Sequence, residues 1–338
     1  YNGTVLANIN LNDRGSAKET YHIEIAADGI EYKPGDSIGI LPYNHLPVAE
    51  AIVSLTGIDR EKNITHRTGE HSVFNLLQKK LNIAYLPERV VKQYSGIVKQ
   101  EIPETKIGLL DLLKIYPVQD SQQFEEVISI LEPITPRLYS ISSSPEAHSG
   151  EVHITVAKDF FTINEELKYG LCSDHLSLLP VDCEIEFYVH KNNEFRLPEE
   201  DKDVIMIGPG TGIAPFRSMA HYLRDHKVPH QEIYLLFGCR TKADLLYYEE
   251  LKQLSDEVPN FHYLPTLSRE QWEGPTGYVH TLYENICRSN ATIGEDGVPI
   301  PKTANFYLCG WKNMIDEARL RIQELGYDRK AIHQELYG

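Results

Sequence analysis

The chain has 338 residues, 41% of them hydrophobic and 24% charged, with a formal net charge of -16. That length allows two or three folding units with substantial cores, and the composition is that of a globular protein rather than a disordered one. No apolar run approaches the roughly 18 residues of a membrane span, and the acidity argues against a nucleic-acid partner, because phosphate binding rewards basic surfaces.

Tyr1-Asn-Gly-Thr4 lacks the basic start and apolar segment of a secretory leader. The five cysteines, Cys172, Cys183, Cys239, Cys287 and Cys309, contain no close metal-type pair. We therefore expect a cytoplasmic protein without a metal, and a chain starting at Tyr1 reads as a processed or excised piece with room for an upstream module. Thr4-Val-Leu-Ala-Asn-Ile-Asn10, Thr20-Tyr-His-Ile-Glu-Ile25 and Ser37-Ile-Gly-Ile-Leu41 read as strands, the last after the turn Lys33-Pro-Gly-Asp36. From Pro47 to Pro133 apolar residues recur at three and four positions, as in Val73, Leu76, Leu77 and Leu81, which predicts helices. Between Arg60 and Pro117 ten Lys or Arg face six Asp or Glu, so this stretch is +4 and the remainder -20. A basic region on an acidic protein can steer an acidic partner.

Strand character returns from Arg137 to Phe195, clearest in Glu151-Val-His-Ile-Thr-Val-Ala157 and Glu184-Ile-Glu-Phe-Tyr-Val189. The helical segment thus reads as an insertion into one β-domain. After Pro198 strands and helices alternate: Val204-Ile-Met-Ile207, a glycine turn, a helix to Asp225, Glu232-Ile-Tyr-Leu-Leu-Phe237, a helix near Tyr248, Phe261-His-Tyr-Leu264, Asn305-Phe-Tyr-Leu-Cys309 and a final helix. Such order implies a parallel sheet covered on both faces. The expected class is α+β and multi-domain: an antiparallel β-barrel over 1–45 and 134–198, a helical insertion over 46–133, and an α/β parallel-sheet domain over 199–338.

Within Pro136-Arg-Leu-Tyr-Ser-Ile-Ser-Ser-Ser-Pro145, strand alternation puts Tyr139 and Ser140 on opposite faces. A ligand touching both lies along the strand edge, as a long flat molecule with a charged tail would. Gly208-Pro-Gly-Thr-Gly-Ile-Ala-Pro215 follows an apolar strand and opens a helix, where free N–H groups and the helix dipole favour a phosphate. Pro215 suits a first helical turn, and Thr211 adds a hydroxyl. No acidic residue closes a second strand to hold a ribose 2'-hydroxyl. The loop Thr266-Leu-Ser-Arg269 instead offers a hydroxyl and a guanidinium, followed by Tyr278 and His280, which favours a 2'-phosphorylated nucleotide.

Arg137-Leu-Tyr-Ser140, Gly170-Leu-Cys-Ser173, Gly208 to Phe216, Phe237-Gly-Cys-Arg240, Ser268-Arg269 and Tyr307-Leu-Cys-Gly310 occur in an order that resembles the ferredoxin-NADP reductase family. With the helical insertion, nearly the whole chain is similar to the FAD/NADPH half of the diflavin reductases, such as sulfite reductase flavoprotein and the microsomal cytochrome reductases. The resemblance implies that FAD lies against Arg137, Leu138, Tyr139 and Ser140, with Arg137 on the pyrophosphate and Tyr139 on the ring. It places Thr155, Val156 and Ala157 at the flavin edge and Gly170, Leu171, Cys172 and Ser173 at the pyrophosphate. It assigns Thr211, Ser268, Arg269, Tyr278 and His280 to NADPH, Ser140, Cys309 and Glu335 to the transfer point, and Tyr337 to the flavin face.

Three departures stand out. Thr276 occupies a position where relatives often carry a lysine, and the turn Cys309-Gly-Trp-Lys-Asn-Met314 is one residue shorter than usual. No flavodoxin-like FMN domain precedes Tyr1, so the expected acceptor is such a domain removed from this chain or a separate protein, with a haem protein beyond it. A stand-alone reductase of ferredoxin or flavodoxin and a non-catalytic nucleotide-binding subunit are the competing readings.

Overall fold

The computed structural model describes residues 1–163, 165–198 and 200–337; the boundary expected at 199 and the last residue of Glu335-Leu-Tyr-Gly338 lie outside the described residues. Strands β1 (Asn2–Asn10), β2 (Thr20–Ala26) and β3 (Ser37–Ile40) open the chain. There follow α1 (Leu46–Thr56), the hairpin β4 (Asn63–His66) and β5 (Gly69–Ser72), α2 (Val73–Asn75) running into a π turn over Leu76–Lys80, α3 (Glu88–Val98), α4 (Leu109–Ile115) and α5 (Ser121–Ile130). Next come β6 (Arg137–Ser140), β7 (Glu151–Ala157), the hairpin β8 (Phe160–Ile163) and β9 (Glu166–Tyr169), α6 (Leu171–Ser177) and β10 (Glu184–His190). The last part runs β11 (Asp203–Ile207), a 3-10 turn (Gly210–Ile213), α7 (Ala214–Asp225), β12 (Ile233–Cys239), α8 (Tyr248–Glu257) and β13 (Phe261–Leu267). It ends with α9 (Val279–Asn290), the short pair β14 (Thr292–Ile293) and β15 (Pro299–Ile300), β16 (Ala304–Gly310), α10 (Lys312–Glu324) and β17 (Ile332–Leu336). Contacts divide the chain into two compact units, one of residues 1–39, 138–158 and 179–338, the other of 40–137 and 159–178.

The first unit holds two sheets. Strands in the order β6-β3-β10-β1-β2-β7 form an antiparallel sheet, and an isolated antiparallel bridge joins Ile141, just past β6, to Ile154 on β7. Period-two alternation buries Ile23, Ile25, Val152, Ile154 and Val156 completely, while β1 shifts register between Val5 and Ala7. The second sheet is parallel, in the order β13-β12-β11-β16-β17. Both of its faces are covered: Val204 and Met206 pack with Phe216, Met219, Leu251 and Leu254 of α7 and α8, and Ile205 and Ile207 with Tyr283, Ile315 and Ile322 of α9 and α10. That two-sided cover explains why β11 and β16 are apolar runs buried throughout. The strand order reverses between β11 and β16, where a parallel sheet opens a crevice at its carboxyl end.

The expected final helix does not end the ordered chain. Beyond α10 the segment Ile332–Leu336 adds a parallel edge strand, with Cys309 opposite Glu335. Its five residues include His333, Gln334 and Glu335, so the apolar signal was too weak to mark a strand.

The second unit has its own core, built from Ile52, Leu76, Leu77, Tyr94, Leu109, Leu112, Phe124 and Val127. In α3 the buried positions are Val90, Val91, Tyr94 and Val98, one face of a helix, and the Tyr94 hydroxyl donates to the carbonyl of Tyr116 at 2.5 Å. Buried Asn44 donates to the carbonyls of Leu77 and Leu81 at 2.7 and 2.8 Å, satisfying acceptors that the π turn leaves open. The hairpin β4–β5 interrupts what reads as an all-helical insertion. The basic stretch is also less basic than its window suggests: Lys62 pairs with Glu125 and Arg89 with Glu132, both acids beyond Pro117. Over the whole unit 12 Lys or Arg meet 16 Asp or Glu, so the excess of positive charge disappears.

Candidate functional site

The glycine turn sits at the carboxyl end of β11. Gly208 N–H donates to Leu236 O at 3.1 Å, Gly212 N–H to Pro209 O at 3.1 Å, and Gly210 adopts φ +59°. A Cβ on Gly212 would lie 2.1 Å from the Cys309 carbonyl oxygen and one on Gly208 2.5 Å from that of Gly212, so side chains are excluded on steric grounds. The turn winds through a 3-10 segment before α7 begins at Ala214, with Pro215 in its first turn and Thr211 half-buried at the entrance. This arrangement keeps backbone N–H groups at a helix start, a cradle suited to phosphate.

Beside the turn, β16 and β17 bring three reactive side chains together with the end of β6. The Ser140 hydroxyl donates to Glu335 Oε1 at 2.6 Å. Cys309, opposite Glu335 in the ladder, is buried, and its thiol is pushed well above the ordinary range by burial and then by the Glu335 charge. Burial, reinforced by Asp36, raises the Glu335 carboxyl to about 7, against the opposing effects of the Ser140 hydrogen bond and Arg196. Its second oxygen, Oε2, is buried without a hydrogen-bond partner in the protein. An orphaned acceptor of this kind normally meets a donor that binds there. Tyr337 follows directly: its N–H donates to Gly310 O at 3.2 Å and its hydroxyl to Pro209 O at 3.0 Å, so its ring lies against the glycine turn. Ser140, Cys309, Glu335, Tyr337 and the glycine turn therefore share one corner.

The remaining predicted positions divide by element. In β6, Arg137 and Leu138 are exposed, while Tyr139 is half-buried. Arg137 lies close enough to Asp159 to oppose the rise that burial imposes on that carboxyl. In β7 the alternation separates the three candidate flavin contacts: Thr155 turns its hydroxyl onto the Tyr247 hydroxyl at 2.7 Å, Val156 is core, and Ala157 is half-buried. Gly170 is the N-cap of α6, with Leu171 half-buried and Cys172 and Ser173 buried. The Ser173 hydroxyl donates to Gly170 O at 3.1 Å and accepts from Asp159 N–H at 3.1 Å. At the ends of β12 and β13, Ser268 N–H donates to Cys239 O and Arg269 N–H to Arg240 O, both at 2.9 Å. Tyr278 is 68% exposed and stacks on His280, ring centroids 5.9 Å apart at 15°. Exposed Tyr278 on half-buried His280 offers a flat surface and exposed Arg269 a charge, the two things an adenosine phosphate uses.

Sequence reasoning missed a buried polar network. Arg217 of α7, 5% exposed, makes a forked pair with Glu250 of α8 at 2.7 and 2.9 Å and donates to Ser142 O at 2.8 Å. His221 also meets Glu250, at 2.7 Å, and the rings of His22, His153, His148 and His221 follow one another in T-shaped or tilted contacts with centroids 4.4 to 5.1 Å apart. Burial, aided by the Arg217 charge, lowers His148 to about 4; burial followed by His148 lowers His153 to about 2. His22, Glu24 and His153 offer ligand atoms within 4.8 Å of one another, a spacing open to a metal. The guanidinium of Arg217 stands 3.5 Å from His153 Nδ1 and opposes a second cation there. His22 pairs with Glu24 at 3.0 Å and His153 with Glu151 at 2.8 Å, and with Arg217 on Ser142 O the cluster forms a hydrogen-bonded tie between the sheet and α7–α8. In the sequence, Arg217 and Glu250 are indistinguishable from solvated helix charges.

A cradle that admits no side chain and an orphaned carboxylate beside a hydroxyl and a thiol fit a nucleotide-binding redox module. The known families agree: an FAD binding domain matches residues 90–175 and an oxidoreductase NAD-binding domain residues 206–320. Together these matches put an FAD-binding and a nicotinamide-nucleotide-binding domain in one chain, the makeup of an FAD/NADPH module. The chain is similar to the sulfite reductase [NADPH] flavoprotein alpha-component of Vibrio parahaemolyticus, 32% identical over 92% of this chain and 51% of the relative. The same component of Photobacterium profundum is 34% identical over 74% of this chain and 44% of the relative. A nitric oxide synthase-like protein of Bombyx mori is 29% identical over 95% of this chain and 33% of the relative. The chain thus spans from a third to about half of the length of these relatives.

Proposed function

We propose that this chain is the NADPH-oxidising half of an electron-transfer system whose next carrier is an FMN-bearing, flavodoxin-like domain or protein, with a haem protein beyond it. The similarity to sulfite reductase flavoproteins supports that acceptor class. In this reading residues 1–45 and 134–198 form a barrel that carries FAD, 46–133 connect, and 199–338 carry NADPH. Bound NADPH supplies a hydride and bound FAD accepts it.

The chain's own contribution is positioning and charge. Arg137 and the N-terminus of α6 would hold the FAD pyrophosphate, and Tyr139 the ring. The glycine turn with Thr211 would hold the NADPH pyrophosphate, and Ser268, Arg269, Tyr278 and His280 its adenosine end. The observation that carries the reading is the Ser140–Glu335 hydrogen bond of 2.6 Å beside Cys309 and the glycine turn. A carboxyl near 7 can hold a proton or release it at neutral pH, and Ser140 fixes its orientation. Cys309, held as a neutral thiol by burial, fills the space without adding charge. Tyr337 rests on the turn and must move to admit a nicotinamide ring. Its stacking is worth about 0.5–1.5 kcal/mol beyond burial, little enough for phosphate contacts to displace it.

Stopped-flow reduction of the Ser140→Ala protein tests this assignment. Flavin reduction should slow by about 10-fold or more, the effect of one lost hydrogen bond at about 1.4 kcal/mol, while NADPH affinity stays within about twofold. An unchanged reduction rate removes Ser140 from the site.

A further inference from the structure

We propose that Ser218 and Arg217 of α7 are positioning residues for hydride transfer, holding the backbone just beyond Ser140 at a fixed distance from the glycine turn. The inference rests on the reading above, which puts Ser140 at the transfer point and the nicotinamide nucleotide on that turn. Helix α7 begins directly after the turn and, within its first turn and a half, presents two buried polar side chains. The Ser218 hydroxyl, fully buried, donates to Ser143 O at 2.5 Å, and Arg217 Nη1 donates to Ser142 O at 2.8 Å. Both acceptors lie on the short loop that leaves β6, whose last residue is Ser140.

The antiparallel sheet pins the same loop from its other side. Ile141 N–H donates to Asp36 O at 3.0 Å and Ser142 N–H to His153 O at 2.8 Å, while the Ser143 hydroxyl accepts from His153 N–H at 2.9 Å and meets the Tyr32 hydroxyl at 2.7 Å. Glu250 accepts from Nε and Nη2 of Arg217 at 2.9 and 2.7 Å, which aims the remaining arm of the guanidinium at Ser142. A serine hydroxyl within a helix ordinarily returns to a carbonyl of its own preceding turn, whereas that of Ser218 crosses to another element. A buried ion pair adds little net stability over well-packed apolar residues, but its hydrogen bonds set a distance and a direction. Here they set the separation between the two sources of the corner. Ser140 comes from β6 of the antiparallel sheet, while Cys309, Glu335 and the glycine turn come from the parallel one. Reactive geometry tolerates roughly 0.5 Å of error, and a misplacement of about 1 Å by a change far from the chemistry can cost about 100-fold in rate.

The test is anaerobic stopped-flow reduction of the FAD-loaded Ser218→Ala protein at saturating NADPH, with calorimetric binding of NADP+ beside it. The limiting rate should fall by about 10-fold, the scale of one lost hydrogen bond, while NADP+ affinity stays within about twofold and the protein keeps its FAD. Arg217→Lys, which keeps the charge beside Glu250 but cannot reach both partners, should slow reduction in the same way. Because Ser218 acts through Ser140, the double variant Ser140→Ala, Ser218→Ala should be about as slow as Ser140→Ala alone. A Ser218→Ala protein at the parent rate, a loss of rate in step with NADP+ affinity or FAD, or a double variant in which the two losses multiply overturns the positioning role and leaves the Ser140 assignment standing. A Ser140→Ala protein at the parent rate overturns that assignment, and the role of Ser218 falls with it.

Discussion

Replacing Glu335 by glutamine should change how stability depends on pH. In the folded chain burial and Asp36 raise the carboxyl from 4.5 to about 7. Between these values the unfolded chain has released the proton while the folded chain keeps it, so stability falls as pH rises from 4.5 through 7. The interval of about 2.5 pH units at about 1.4 kcal/mol each gives about 3 kcal/mol of penalty, fully present above pH 8 and absent below 4.5. Glutamine carries no such penalty, so the parent should lose about 3 kcal/mol relative to Glu335→Gln between pH 4.5 and 8.5. Urea unfolding at fixed excess FAD, followed by tryptophan fluorescence, reads this directly, because Trp272 and Trp311 lie in the same compact unit as Glu335. A stability difference that stays constant across this range would refute the burial of an uncharged carboxyl beside Ser140.

Further outcomes follow from other parts of the site. Tyr337→Ala should raise turnover with NADH, since the ring resting on the glycine turn no longer competes with nicotinamide; steady-state kinetics with both cofactors decides it, and no gain for NADH argues against a covering role. Arg217→Ala leaves Glu250 without its forked partner and Ser142 O without a donor, and should cost about 3–5 kcal/mol in urea unfolding. His148 titrates at about 4 when folded against an ordinary 6.5, so its contribution is present above 6.5 and lost as pH falls toward 4. His148→Gln should flatten that acid limb in the same assay, and an unaltered limb contradicts the buried neutral ring.

Much of this fold is legible because period two and period 3.6 are strong signals where one face is buried. The strands at Thr20–Ala26 and Glu151–Ala157, the glycine turn after Ile207 and the helix ending at Asp225 stand where the pattern puts them. Short two-stranded pairs such as β4–β5 and β8–β9 leave no such trace, being four residues a strand; along β4–β5 only His66 is buried. The edge strand β17 was hidden for the same reason, and with it the pairing of Cys309 and Glu335 that builds the corner at Ser140. Contacts through buried charge were hidden altogether. Arg217 and Glu250 act through neighbours far away in sequence, and only the fold shows whether such a residue faces water or a partner.

The central claim is that this chain passes electrons from NADPH to its own flavin. The FAD-loaded protein, mixed anaerobically with NADPH and followed at the flavin absorbance band, should bleach rapidly, and the Ser140→Ala protein should bleach about 10-fold more slowly. A yellow parent protein that NADPH leaves unbleached would contradict the account.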